Sequence, residues 1–352
     1  AFNTYDKFPI GARRCALTSD KLHDALERKL TRMAHEDRWQ EEMASLWVDE
    51  QVELFGSTVE PESEGEVFNL TKDYLKNKFA AGNAAIEALE WLRLDRIGMR
   101  ILNAKTLSAA EYIWLRLLIS GHGAKGARYV VIDEIQDYTP VQIRILARYF
   151  HGAHFLLLGD PNQAIHENTA GWDEIKRVFS SAGKLEECKL QTSYRSSPEI
   201  TSLFASLLSK EERSSLTSVQ RPGVNPDIRE CSDEYLEVLQ SIITSEKNKD
   251  ELTAIIAADS SRAHWLEHQF EGNIQLIGPN TALPASGIVV LDLALAKGLE
   301  FDHVIVPDAQ EEVYPATSLA RRRLYTAISR ATHRITILSQ GRLSPLLKAY
   351  RK

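Results

Sequence analysis

The strongest constraint on the fold is the stretch Tyr129 to Pro140, YVVIDEIQDYTP. Val130, Val131 and Ile132 predict a strand buried on both faces, as in a parallel sheet covered by helices. Such a sheet offers its chemistry at the carboxyl ends of its strands, where Asp133 and Glu134 emerge. Thr139 suits a helix cap, and Pro140 the first helical position, where a missing N–H costs nothing. An acidic pair there suits magnesium and water activation: one carboxylate reaches the metal and its neighbour orients or deprotonates the nucleophile. Taken alone, the string reads as readily as a strand end with solvated acids.

The sequence around it alternates in the same way. A helix is expected from Pro140 to about Phe150, then a second buried strand at His154–Leu158, ending in GDPNQAI. Gly159 permits a tight exit, Asp160 stands at the strand end, and Gln163 lies just beyond. Two strands that both end in acids or amides favour a phosphate-and-metal site over either one alone. Ser197 and Pro198 begin a further helix, with Arg195 just before it and free to face a phosphate. Ser209–Gly223 reads as a polar linker or surface loop.

A second alternating unit follows: helix at Asp233–Ser245, strand at Thr253–Ala257, helix around Ser261–Phe270, and strands at Gly287–Leu293 and His303–Pro307. A helix over Leu319–Ala331 and a strand at Arg334–Leu338 complete it. This spacing predicts a second parallel sheet. Residues 1 to about 120 read as helical. Lys21–Glu53 is amphipathic, Gly56–Gly65 is a break, and a helix starts at Ser108 as its cap. The tryptophans of this region read as packing residues.

At 352 residues the chain has room for about two domains, and its 43% hydrophobic and 26% charged composition is that of an ordinary soluble protein. The net charge of −7 argues against a globally basic nucleic-acid binder. Cys15, Cys188 and Cys231 are too widely spaced for a disulfide framework or zinc knuckle, so a reducing cytosol fits. With no apolar run long enough to cross a bilayer and no signal-peptide pattern, the expected location is cytoplasmic, with no membrane partner.

In order along the chain, DEIQD, GDPNQAI, SYRSS, AKGLEFDHVIV and LYTAISRA resemble the later motifs of superfamily 1 helicases of the UvrD/Rep type. The sub-pattern resembles most the HelD branch, helicase-like ATPases that associate with bacterial RNA polymerase. The resemblance runs from about Ser108 to Leu338; residues 1–107 are not matched. It implies an α/β fold of two RecA-like (P-loop NTPase type) parallel sheets with helices on both faces and ATP bound between them. The first domain would be incomplete and preceded by a helical segment. The corresponding division is a helical segment at 1–120, the remainder of the first RecA-like domain and the start of the second at 121–208, and the second RecA-like domain at 209–352.

By the same resemblance Asp133 holds Mg²⁺, Glu134 activates the attacking water and Gln163 senses the γ-phosphate. Arg195 and Arg330 act as arginine fingers on the transferred phosphoryl group. Glu300 touches the nucleotide ribose, Asp160 and Lys297 join the nucleotide-binding set, and Asp137 links the metal strand to its neighbour. For each arginine the other reading is a surface ion pair.

The departures from the pattern are equally specific. There is no GxxxxGK[ST]; the nearest strings are GAKGA at Gly123 and AKGLE. The loop that would present backbone N–H groups and a lysine to the β/γ-phosphates is therefore expected upstream, and this chain alone is expected to be inactive. Asn168 and Thr169 stand where DNA helicases carry an aromatic and an arginine for single strands. Ala294 and Leu295 stand where they often carry His-Ser. Only about 90 residues separate SYRSS from GIVVLDL, too few for a large second insertion. These departures favour a HelD-like motor that remodels or recycles RNA polymerase complexes, with weak binding of single-stranded DNA. A 3′–5′ DNA helicase or translocase is the alternative, and a catalytically inactive interaction module the alternative of another class.

Overall fold

Strands whose residues are apolar at every position need cover on both faces, and the six-stranded sheet of this chain has it. In the computed structural model, which describes residues 5, 7–121, 123–124, 126–181, 183–247, 249–348 and 350, the chain forms two compact units: residues 1–128 with 144–153, and residues 129–143 with 154–352.

The first unit is helical: α1 (Ala12–Met33), α2 (Asp37–Ala44), α3 (Val48–Phe55), α4 (Glu64–Lys78), α5 (Ala80–Glu87), α6 (Leu94–Leu102) and α7 (Ala109–Ser120). The amphipathic stretch Lys21–Glu53 is three helices, interrupted around His35–Glu36 and Ser45–Trp47. Leu30, Met43, Tyr74 and Leu75 form one small core, with Trp39 packed against it, and Cys15, Leu89, Leu94 and Ile119 another, with Trp91. Trp47 is not a packing residue: it is 79% exposed at the start of α3. The expected cap of α7 is present as a reciprocal box, in which Ser108 Oγ accepts from the Glu111 N–H and Glu111 accepts from the Ser108 N–H.

The second unit begins with β1 (Tyr129–Ile132). After it come α8 (Pro140–Tyr149), whose last part belongs to the first unit, β2 (His154–Leu157), α9 (Trp172–Ser180), β3 (Thr192–Ser193), α10 (Pro198–Ala205), α11 (Lys210–Ser215) and β4 (Thr217–Ser218). There follow β5 (Asp227–Cys231), α12 (Tyr235–Glu246), β6 (Leu252–Ala257), α13 (Ser260–Gln269), β7 (Gln275–Leu276), β8 (Gly287–Asp292), α14 (Leu293–Ala296), β9 (Phe301–Val306), α15 (Ser318–Ile328) and β10 (Ala331–Gln340). The large sheet has the order β5-β10-β9-β6-β8-β7, parallel throughout. Alternate residues face opposite sides. Ala254, Ile256, Val289, Leu291, Val304, Val306 and Ile337 pack with α10 and α15, while Ile255, Val290, Ile305 and Leu338 pack with α12 and α13. The α/β class with parallel sheets and helices on both faces is thus the class observed.

Three expectations change. The Ser209–Gly223 stretch contains a capped helix, α11, and a strand, β4, paired with β3. The edge strand β5 was not foreseen, because its sequence, DIREC, is polar; an edge strand with one side in solvent tolerates such residues. Most consequential, β1 and β2 are not buried on both faces. Among the described residues they pair only with each other, Val130 beside Phe155 and Ile132 beside Leu157, and the Tyr129, Val131 and Leu156 face is open. An apolar run shows that a strand can be covered, not that a second layer is there to cover it.

Candidate functional site

The parallel pairing of β1 with β2 sets their carboxyl ends side by side, so the loops carrying Asp133–Asp137 and Gly159–Gln163 start from adjacent points. The Leu158 N–H donates to the Ile132 carbonyl (2.8 Å) and the Ile135 N–H to the Leu158 carbonyl (3.0 Å), which fastens the two exits together. Asp133 is exposed, with Oδ1 accepting from the Glu134 N–H at 2.8 Å. Glu134 has φ +51°, in the left-handed region that a non-glycine residue seldom occupies, and this turns the chain out of the strand into a single 3₁₀ turn, Ile135–Asp137.

From Glu134 a continuous series of hydrogen bonds runs to Arg330. Gln136 Nε2 donates to Glu134 Oε2, and the Asp160 N–H donates to Gln136 Oε1 at 3.1 Å. Gln163 Nε2 donates to Asp160 Oδ2 at 3.1 Å, and Arg330 Nη2 donates to Gln163 Oε1 at 2.8 Å. The loops after β1 and β2 and the segment between α15 and β10 are thereby joined.

Arg330 is 2% exposed and also donates to the carbonyls of Thr326 and Leu299 and to Ser329 Oγ. Burial, aided by the charge of Arg195, pushes its guanidinium below the ordinary arginine value, while Glu134 and Glu300 oppose the shift. A guanidinium held dry with its fork satisfied by carbonyls and an amide is positioned before any ligand arrives, unlike a surface ion pair. Arg195 is the contrasting case. It is half-exposed and pairs with Glu300 at 2.6 Å, so two residues expected to face a nucleotide face each other here. Next to Asp160 is Tyr325, whose phenol is pushed up by burial and by that carboxylate.

Lys297, between α14 and β9, is a third tether. Its Nζ donates to Asp137 Oδ2 and to the Gln163 carbonyl (2.9 Å), and lies 3.5 Å from Glu134 Oε2. Asp137 therefore pairs with Lys297, and the link between neighbouring strands falls to Gln136 instead. Gln136 lies within DEIQD, where nothing in the local sequence marks its role. The same holds for Arg322, whose Nε donates to the Ala164 carbonyl at 2.7 Å.

The residues present suit a magnesium ion of the kind that keeps its water and takes one or two carboxylates together with substrate phosphates. Asp133 has Oδ2 available, and among the described residues no cluster of three ligands forms a closed protein cage. In the six-stranded sheet a cavity of about 400 Å³ lies at the carboxyl ends of β6 and β8, lined among others by His166, Glu167, Asp259, Asp292, Ala294 and Arg323. Asn168, close by in sequence, is exposed at φ +61°. Among the described residues no helix is long and apolar enough to cross a membrane.

Comparison with known proteins agrees with the motif order. The UvrD/REP helicase N-terminal domain matches residues 17–171, so the likeness reaches well before Ser108, and the UvrD-like helicase C-terminal domain matches residues 287–338. The ATP-dependent DNA helicase UvrD2 of Mycobacterium tuberculosis (strain H37Rv) is 31% identical over 121 residues, which is 31% of this chain and 17% of that protein. UvrD2 of Mycobacterium bovis gives the same figures. The chain therefore spans 17% of the length of the curated relatives it matches. Among solved structures, the C-terminal domain of a possible DNA helicase from Lactobacillus plantarum WCFS1 is similar at 31% identity, over 45% of this chain and 93% of that one, with a TM-score of 0.38.

Proposed function

We propose that this chain is part of an ATP-dependent superfamily 1 motor of the HelD kind, using nucleotide-driven closure to remodel RNA polymerase complexes in the cytoplasm. The observation that carries the motor reading is the unbroken series Glu134–Gln136–Asp160–Gln163–Arg330. It joins a candidate base to a preorganised arginine, the two elements that phosphoryl transfer needs on opposite sides of the reacting group. Magnesium, held by Asp133, would screen the β- and γ-phosphate charge. Glu134 takes the proton of the attacking water. Arg330 and, after leaving Glu300, Arg195 donate to the developing charge, while Glu300 is released toward the ribose. The phosphate-cradling loop absent from these 352 residues is assigned to another part of the polypeptide, so the chain alone should hydrolyse ATP only at background rate.

Weak single-strand binding follows from the side chains at the groove positions. Base stacking on an aromatic contributes about 1–3 kcal/mol per base, and Asn168 and Thr169 offer none. The cavity beside Ala294 sets Glu167, Asp259 and Asp292 against Arg323, an acidic balance that disfavours a phosphate backbone. A protein target is free of that repulsion. The UvrD2 relatives are ATP-dependent DNA helicases, which supports the second reading, a 3′–5′ DNA helicase.

In the whole protein, Glu134→Gln should keep nucleotide binding and lose turnover, and Arg330→Ala should lower turnover by orders of magnitude. Wild-type hydrolysis by Arg330→Ala would make Arg330 a structural residue only. Pull-downs at near-physiological salt should recover RNA polymerase. Tight single-strand binding and duplex unwinding without polymerase would favour the DNA helicase.

A further inference from the structure

Gln136 is 2% exposed, and a buried amide must have its donor and acceptor matched. Its two partners fix its orientation. The Asp160 N–H can only donate, so Oε1 lies at that end and Nε2 at the Glu134 carboxylate. The surroundings are shaped to this side chain: a Cβ on residue 159 would stand 2.3 Å from Gln136 Oε1, so Gly159 leaves the space the amide occupies. Gln136 Nε2 and Lys297 Nζ both approach Oε2 of Glu134, and among the described residues no hydrogen bond or ion pair falls on Oε1. Glu134 itself keeps a left-handed backbone, which persists only where the surroundings over-determine it.

We infer that Gln136 is the positioning residue for Glu134: it holds Oε2, leaves Oε1 as the oxygen available to a water proton, and ties that orientation to the Asp160 loop that carries Gln163. This rests on the hydrolytic reading above. Gln136 touches neither nucleotide nor water and acts through Glu134. Glutamine meets the requirement because one planar group supplies a donor to a carboxylate and an acceptor to an N–H. Methionine supplies neither, and glutamate lacks the donor unless it is protonated.

Two measurements test it. In the 352-residue chain with ¹⁵N-labelled glutamine side chains, the Gln136 Nε2 resonance is assigned by its loss in Gln136→Met. It should exchange slowly with solvent and shift on Glu134→Ala; a signal unmoved by Glu134→Ala overturns the contact, whatever the protein hydrolyses. In the whole protein with Mg-ATP, Gln136→Met should lower kcat by about ten- to a hundredfold, as misplacement of a reacting group does. KM should stay within about threefold, and no further loss should appear on a Glu134→Gln background. Losses that multiply with Glu134→Gln, or a matching fall in nucleotide affinity, overturn the positioning role. An intact wild-type protein without hydrolysis refutes the hydrolytic reading while the resonance test still decides the contact.

Discussion

Val290 in GIVVLD is fully buried, whereas Val131 in the similar string YVVI is 63% exposed. Both belong to parallel strands of the same compact unit. The six-stranded sheet has an apolar layer on each face, and its order comes from packing. The two-stranded sheet, which carries Asp133, Glu134 and Asp160 at its strand ends, has one open face. Its loops are held by the backbone pairs at Ile132 and Leu158, by Gln136 and by Lys297. The candidate chemistry therefore stands on the less packed framework, and directional polar contacts supply the precision there. Such contacts can be exchanged for those of a ligand, while a packed core resists rearrangement.

The sharpest test of the contrast is Leu291→Ala. It should cost about 2–5 kcal/mol in the six-stranded sheet, because it empties a site sealed between helices and strands. A loss below about 1 kcal/mol in urea unfolding would mean that this core relaxes around the gap.

Acid should also find the large sheet first. Its buried Glu246 is disfavoured as an anion by burial, yet hydrogen bonds from Arg334 and Lys249 prevail and hold its carboxyl at about 2. His303 beside it is pushed below 6.5 by burial and by Arg334, against the pull of Glu246. Both folded-state values are depressed, so both contributions are full above the unfolded values of 6.5 and 4.5. Stability should begin to fall as pH drops below 6.5, through His303, and fall further from 4.5 toward 2, through Glu246. Urea midpoints at pH 7, 5 and 3 measure this, and Arg334→Gln should flatten the lower part of the curve. A profile unchanged in that variant would remove the Glu246 assignment.

The smallest effect belongs to the open face. Val131→Thr should change stability by no more than about 0.5 kcal/mol, as exposed positions generally do. A cost of about 2 kcal/mol would show that this face is covered in solution.

Much of the architecture was legible in the sequence. Ser108 as a cap placed α7, Ser197 with Pro198 placed α10, and continuous apolar runs placed β6, β8 and β9, each a signal carried by neighbours in the chain. The motif order likewise named Glu134, Gln163, Lys297 and Arg330, which the structure gathers in one place. The sequence could not tell that β1 and β2 keep an open face, because burial depends on what packs from elsewhere. Nor could it tell that Asp137 belongs to Lys297, that Gln136 spans two strand ends or that Arg195 rests on Glu300. Those partners are 24 to 167 residues apart counting the Gln163–Arg330 bond, and side-chain direction across such distances leaves no local periodicity to read. By itself the sequence determined the elements and the order of the chemical groups, because propensity and capping act over a few residues. Only the tertiary structure decided which oxygen of Glu134 is held and which is free, because that depends on donors brought together by folding.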